Sequence, residues 1–258
     1  MSLSAPFFRS VVVVQERIGD PDVYPFSLPV VRALDGLPLS AVTYFVGENG
    51  SGKSTVLEAL AVASGFNPEG GTINFNFQTR RSHSPLHACI KFIRGPRRPG
   101  TGFFLRAESF FNLATEIERL DDQPAFSPPI IDSYGGTSLH EQSHGESFLA
   151  LLKHRFGPHG LYILDEPEAA LSPTRQLALL IRMRELVASG SQFIIATHAP
   201  IVLAYPGATI YLFDDKGISP IEYEQTEHVQ LTRAFLNDRE RFLQRVLDPG
   251  ATPDTRRR

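Results

Sequence analysis

The stretch VGENGSGKSTVLEAL, from Val46 to Leu60, constrains this chain more than any other. An apolar run, AVTYFVG (Ala41 to Gly47), leads into it, and an apolar pattern of helical spacing leaves it. Gly47, Gly52, Lys53 and Ser54 satisfy G-x-x-x-x-G-K-[ST]. Glycines permit backbone conformations closed to other residues, so successive N–H groups can turn inward on one anion. The helix N-terminus that follows adds favourable partial charge. Strand, glycine loop and helix together read as a phosphate cradle made of Gly47, Glu48, Asn49, Gly50, Ser51, Gly52, Lys53, Ser54 and Thr55. In it Lys53 reaches the β- and γ-phosphates and Ser54 ligates Mg²⁺. The bland alternative is an ordinary glycine turn followed by a lysine. The strand before it and the helix after it weigh against that.

Three further segments bear on chemistry. In LYILDEPEAALSP, four apolar residues place Asp165 at the C-terminal end of a strand, the edge where open α/β sheets collect ligands. Asp165 there holds Mg²⁺, directly or through water, and Glu166 is positioned to polarise an attacking water. An acidic surface turn is the competing account, and the glycine loop in the same chain disfavours it. In IIATHAP, His198 stands just past another strand, within reach of a γ-phosphate or of the water that Glu166 holds. EQSHGESFLALL starts a helix at Ser143, with Gly145 open to close approach. A second anion site is one reading. A plain capping box, Ser143 with Glu146 three residues on, is the other. One glycine loop already serves one nucleotide, so a second anion site requires another phosphate or the same nucleotide approached by another subunit.

A length of 258 residues suits one large α/β domain, and no linker is evident, so residues 1–258 are expected to form a single domain. Alternating strands and helices in the second half imply a parallel sheet. The strand candidates of the first half, Ser10 to Ile18, Thr72 to Phe77, His87 to Ile93 and Gly102 to Ala107, suggest an added antiparallel layer. YPFSLPVV (Tyr24 to Val31) reads as extended and proline-limited. Helices are expected at Lys53 to Ser64, Ser109 to Leu120, Ser143 to Phe156 and Pro173 to about Val187, with Ser172 as N-cap of the last. Thr226 to Leu247 reads as one closing helix.

Net charge is −3 and argues for no particular partner. Yet the stretch from Thr79 to Ala107 holds Arg80, Arg81, Lys91, Arg94, Arg97, Arg98 and Arg106 and no acidic residue. It is either a solvated loop or a surface for an anionic partner such as a nucleic acid. Cys89 is the only cysteine, which excludes an internal disulfide and fits a reducing cytoplasm. VVVV (Val11 to Val14) is too short to span a membrane, and no insertion into one is expected.

Taken together, the motifs resemble the ABC-type ATPase superfamily over Ala41 to Asp214. GENGSGKST is similar to its Walker A, LYILDEP to its Walker B with Glu166 as catalytic base, SHGES to its signature motif and ATHAP to its histidine switch. In detail GENGSGKST, FFLRAESFFN, SHGESF, DEPEAALSP and THAP look most like small stand-alone AAA/ABC-like ATPases, similar in their cores to SMC-like heads. The resemblance implies an α/β P-loop fold: a mostly parallel central sheet with an antiparallel layer and helices. It implies ATP and Mg²⁺ as cofactors, and a head-to-tail homodimer around two ATP that drives or switches an unknown protein partner. Each ATP would meet Walker A of one subunit and Ser143, His144, Gly145 and Glu146 of the other. The catalytic set implied is Glu166, His198 and Lys53; the metal set is Ser54 and Asp165, with Glu108 or Gln78 in place of the usual glutamine sensor. Tyr24 or Phe26 would stack on adenine. The sequence departs from the family where His144 replaces a signature glycine and Ser172 an aspartate. A membrane-transporter ATP subunit, a DNA-associated repair or defence ATPase and a low-turnover nucleotide switch stay open as alternatives. A small-molecule kinase explains neither Ser143 nor His198.

Overall fold

A computed structural model describes residues 5–73, 84–106, 110–122, 128–138 and 140–247. Eight strands are found among them: β1 (Phe8–Val13), β2 (Val42–Val46), β3 (Ile90–Arg94), β4 (Thr101–Arg106), β5 (Gly160–Asp165), β6 (Gln192–Ala196), β7 (Thr209–Asp214) and β8 (Gly217–Pro220). The helices are α1 (Pro29–Arg32), α2 (Lys53–Ala63), α3 (Phe110–Asp121), α4 (His144–His154), α5 (Pro173–Ala188), α6 (Pro200–Leu203), α7 (Glu227–Asn237) and α8 (Arg239–Leu247).

The main sheet has the order β4-β5-β6-β2-β7-β8. Its first five strands run parallel, and β8 returns antiparallel on β7. Strand β2 lies in the middle, and all five residues of β2 and all six of β5 are buried. That burial explains their continuous rather than alternating apolar runs. The pleat sends alternate residues to opposite faces. Val42, Tyr44 and Val46 pack with Tyr162, Leu164, Phe148, Leu152 and Phe156, the face that carries α3 to α6. Phe45, Leu161 and Ile163 pack with Val56, Leu57 and Leu60 of α2 and with Phe8 and Val11 of β1. Burying an aliphatic or aromatic side chain of this kind is worth about 1.5–3 kcal/mol, so both faces hold the sheet firmly.

The fold is thus α/β with a mostly parallel sheet, and an antiparallel layer does accompany it. That layer is smaller than expected: β1 and β3 pair antiparallel, whereas β4 joins the main sheet parallel to β5. Gly102 explains the placement, since a Cβ there would come within 2.7 Å of both the Leu161 carbonyl oxygen and the Phe66 ring. Four local expectations are corrected. The strand expected at Ser10 to Ile18 is β1, which ends at Val13, and Gln15–Arg17 form a 3₁₀ turn. YPFSLPVV is not extended throughout: Leu28 stays extended before proline, and Pro29 occupies the first turn of α1. His87 lies in a 3₁₀ turn spanning Pro85–Cys89, and β3 begins only at Ile90. The closing helix is two helices, broken at Asp238 (φ −149°, ψ 77°), whose carboxylate caps Arg241 N. Thr72 to Phe77 falls mostly outside the described residues. No helix among the described residues is long and apolar enough to cross a membrane.

Candidate nucleotide site

The parallel register brings three loop starts to one edge of the sheet. Asp165, the last residue of β5, is paired with Ala196 at the end of β6, and Phe45 of β2 is paired with that same Ala196. The glycine loop, the DEPE segment and the THAP segment therefore leave the sheet side by side.

The loop itself needs its glycines. Gly47 has φ 146°, and a Cβ there would stand 2.2 Å from the Phe213 carbonyl oxygen. Gly52, at φ 96°, is the N-cap of α2 and would strike Val30. Lys53 is 4% exposed, and its Nζ donates to the carbonyl oxygens of Gly47 and Glu48, each at 2.8 Å. Burial pushes its pKa down, opposed by Glu166, Asp165 and Glu168. Ser51 Oγ is shielded from solvent and has no hydrogen-bond partner. Ser54 Oγ donates to Asp165 Oδ1 at 3.1 Å, and Asp165 is 8% exposed. A cavity of about 260 Å³ opens beside them, lined by Tyr24, Leu28, Asn49, Gly50, Gly52, Lys53, Ser54, Thr55 and Glu166. A larger cavity, about 710 Å³, is lined by Tyr205, Ile210 and Tyr223 among others. It borders the N-terminal end of β7, away from these groups, so size is a poor guide here.

Glu166 has φ 50°, ψ 53°, a left-handed conformation that costs a non-glycine residue on the order of 1–3 kcal/mol. The turn is held by Glu166 N donating to Ala196 O at 2.9 Å. Its carboxylate Oε1 lies 3.4 Å from His198 Nε2. Burial, then the Lys53 charge and His228, holds His198 below the ordinary histidine range, so the ring is neutral near pH 7. Its backbone N–H donates to Glu168 Oε1 at 2.6 Å, and burial pushes the Glu168 carboxyl up. Glu168 and His228 were not singled out from the sequence. The repeated acid in DEPE was a usable signal for Glu168. For His228 there was none, because its contact with His198 spans 30 residues.

Ser143, the N-cap of α4, lies on a separate, exposed surface. Its backbone N–H and its hydroxyl both reach Glu146 Oε2, at 3.0 and 2.6 Å. The capping box is thus formed, and Ser143's hydrogen bond, its backbone N–H and Arg175 hold Glu146 below the usual carboxylate range. Gly145 is buried, and a Cβ there would collide with the Arg175 guanidinium (1.9 Å) and meet Ala170 O at 3.0 Å. The glycine is therefore accounted for within the chain. His144 opens the helix.

Of the two aromatic candidates, Tyr24 is 60% exposed at the cavity, with its hydroxyl 3.0 Å from Thr55 Oγ1. Phe26 is buried in the core. Ser172 is the exposed N-cap of α5, with Pro173 at N1. Glu108, Gln78, Arg80 and Arg81 lie outside the described residues. Lys91, Arg94, Arg97 and Arg98 are exposed on and after β3, whereas Arg106 turns inward to Glu58 of α2 at 2.6 Å.

Residues 130–204 match the family described as "AAA domain, putative AbiEii toxin, Type IV TA system". A "Putative ribose/galactose/methyl galactoside import ATP-binding protein 1" of Rhizobium etli is 26% identical over 201 residues, covering 67% of this chain and 37% of that protein. An "Uncharacterized ABC transporter ATP-binding protein" of Haemophilus influenzae is 26% identical over 184 residues, covering 66% of this chain and 69% of its own. The chain thus spans well under half the length of the first of these relatives. Among solved structures, a nucleotide-free ATP-binding cassette from an ABC transporter is similar at 18% identity, with a TM-score of 0.45, over 78% of this chain and 89% of that one.

Proposed function

We infer that this chain, a P-loop protein of the ABC-like ATPase kind, binds ATP with Mg²⁺ and hydrolyses it in a head-to-tail homodimer. One observation carries the reading: Lys53, the Ser54–Asp165 pair and the Glu166–His198 pair share one sheet edge, beside an open cavity.

The glycine loop supplies N–H donors to the phosphates, and Lys53 leaves the Gly47 and Glu48 carbonyls to join them. Ser54 Oγ and Asp165 Oδ1 are hard oxygen donors 3.1 Å apart, a pair suited to Mg²⁺. When bound, the ion neutralises charge building on the phosphates. Glu166 accepts the proton of the attacking water or orients it, and neutral His198 donates from Nε2 toward the γ-phosphate. Tyr24 stacks on the base. In the dimer, Ser143 turns its hydroxyl from Glu146 to the partner's γ-phosphate, and His144, Gly145 and Glu146 complete that turn. Glu108 is kept as the candidate metal sensor.

Phosphate release by the wild-type chain, compared with Glu166→Gln, tests the reading. The variant should be slower by about 10²-fold or more. Equal rates would remove Glu166 from the mechanism.

A second reading, a nucleotide switch of low turnover, is favoured by the Ser143–Glu146 bond, which satisfies the signature serine within its own chain. It predicts tight ATP binding with phosphate release near background even in wild type. The partner the ATP cycle drives could be an import system, as the relatives' names suggest, or a nucleic acid on the Lys91–Arg98 strip. Nucleic-acid binding there would weaken steeply with salt and after Arg97→Ala with Arg98→Ala.

A further inference from the structure

His198 is the one group at the proposed centre that reaches it through a tautomer. A neutral imidazole carries one proton, and which nitrogen holds it is set by the bond the other makes. His198 Nε2 faces the Glu166 carboxylate at 3.4 Å and is shielded from water. A bare Nε2 would set a lone pair against a carboxylate; a protonated Nε2 points a donor at it. A neutral ring with Nε2–H has a bare Nδ1, and that nitrogen needs a donor.

The donor comes from α7. His228 Nε2 sits in close hydrogen-bond contact with His198 Nδ1, and the two rings meet edge to edge, with centroids 4.6 Å apart and planes 24° apart. His228 is the second residue of α7, between Thr226, the N-cap at 1% exposure, and Val229 at 3%. Two buried neighbours fix the helix start, so the imidazole is presented on a rigid element. Above it, Glu48 and Asn49 of the glycine loop and Glu227 and Leu231 of α7 border one open groove with both histidines. With those tautomers the line runs from His228 Nε2–H to His198 Nδ1, and His198 Nε2–H, 3.4 Å from Glu166 Oε1 without a hydrogen-bond partner, is left to donate to phosphate when nucleotide is present.

We propose that His228 is a positioning residue, which fixes His198 as the Nε2–H tautomer and so turns it into a donor aimed at the γ-phosphate. The inference rests on the ATPase reading of this site for its catalytic consequence, but not for the tautomer itself. It also gives α7 a place in the cycle. A shift of its first turn would break the bond to Nδ1 and release His198, without any contact to nucleotide.

Two arms test it on the full-length chain. Long-range ¹H–¹⁵N spectra of ¹⁵N-histidine-labelled protein, above the pH range where imidazoles charge, should show His198 protonated at Nε2 in the wild type. In His228→Phe, which keeps an aromatic ring and removes the donor, the Nδ1–H form should appear; His228→Gln, whose side-chain N–H reaches a similar position, should restore Nε2–H. In phosphate-release assays His228→Phe should lower kcat about ten-fold with KM roughly unchanged, and His228→Gln should recover most of the loss. A wild-type His198 protonated at Nδ1 would overturn the proposal, as would a His228→Phe variant with full kcat. If no variant and no wild-type chain releases phosphate, the ATPase reading fails, and the spectra still decide the role of His228.

Discussion

At the rim of β2, β5 and β6, Lys53 and Asp165 are 4% and 8% exposed and the Ser51 hydroxyl has no partner. At the N-terminus of α4, Ser143 and Glu146 are exposed, yet each is satisfied by the other, and Arg175 closes over Gly145. The rim is held in shape by strand register at the cost of strain at Glu166, and its Lys53 and Ser54 already donate to Gly47, Glu48 and Asp165 within the chain. The α4 turn has no such support from the sheet and stabilises itself with its own side chains. A turn that has satisfied its groups must exchange one hydrogen bond for another before it can bind. That exchange is a natural point of control.

Lys53→Ala should lower phosphate release by about 10²–10³-fold and weaken binding of a fluorescent ATP analogue; retention of both would mean that the loop is not the phosphate site. At α4 a different pattern is expected. Ser143→Ala should leave analogue binding by the isolated chain unchanged and lower phosphate release about ten-fold or more, if the hydroxyl acts across the proposed dimer. A matching loss of analogue binding would place Ser143 in its own chain's site. Glu146→Ala removes the other half of the capping box and should lower the denaturant midpoint of unfolding only slightly. A loss several times larger would show that α4 is not self-sufficient.

A smaller effect concerns pH. His198 is held below its ordinary pKa of 6.5 by burial, Lys53 and His228. The unfolded chain therefore takes up this proton at higher pH than the folded one. The His198 contribution to stability is full above about pH 6.5 and is lost as pH falls through the folded value. His198→Asn should flatten that part of the curve as pH falls below about 6.5, read from denaturant midpoints. Glu168, pushed up by burial, works in the opposite sense: its contribution is present below 4.5 and is lost as pH rises through the folded value. An unchanged slope in His198→Asn would show that the ring is not kept neutral by its surroundings.

Much of the rim was legible in the sequence because it is local. The start of α2 at Lys53 follows from Gly52, the end of β5 at Asp165 from Pro167, and the start of α5 from Ser172 and Pro173. What escaped the sequence depended on contacts far apart in the chain. Strand β4 pairs with β5 because Gly102 admits the Leu161 carbonyl some sixty residues away. His228 meets His198 only after α7 folds back on α6. Arg106, counted with the basic strip, is claimed by Glu58, a partner 48 residues away. The break at Asp238 was missed because apolar spacing continues across it from Phe235 to Phe242, whose rings touch edge to face.

On the proposed reading this chain carries a complete phosphate cradle and an incomplete site that a second copy finishes. Sedimentation of Glu166→Gln with and without ATP and Mg²⁺ tests it most directly. The account predicts a monomer without nucleotide, a dimer with ATP, and a monomer again when Ser143→Arg is added to the same chain. A Glu166→Gln chain that binds ATP and still sediments as a monomer would contradict it.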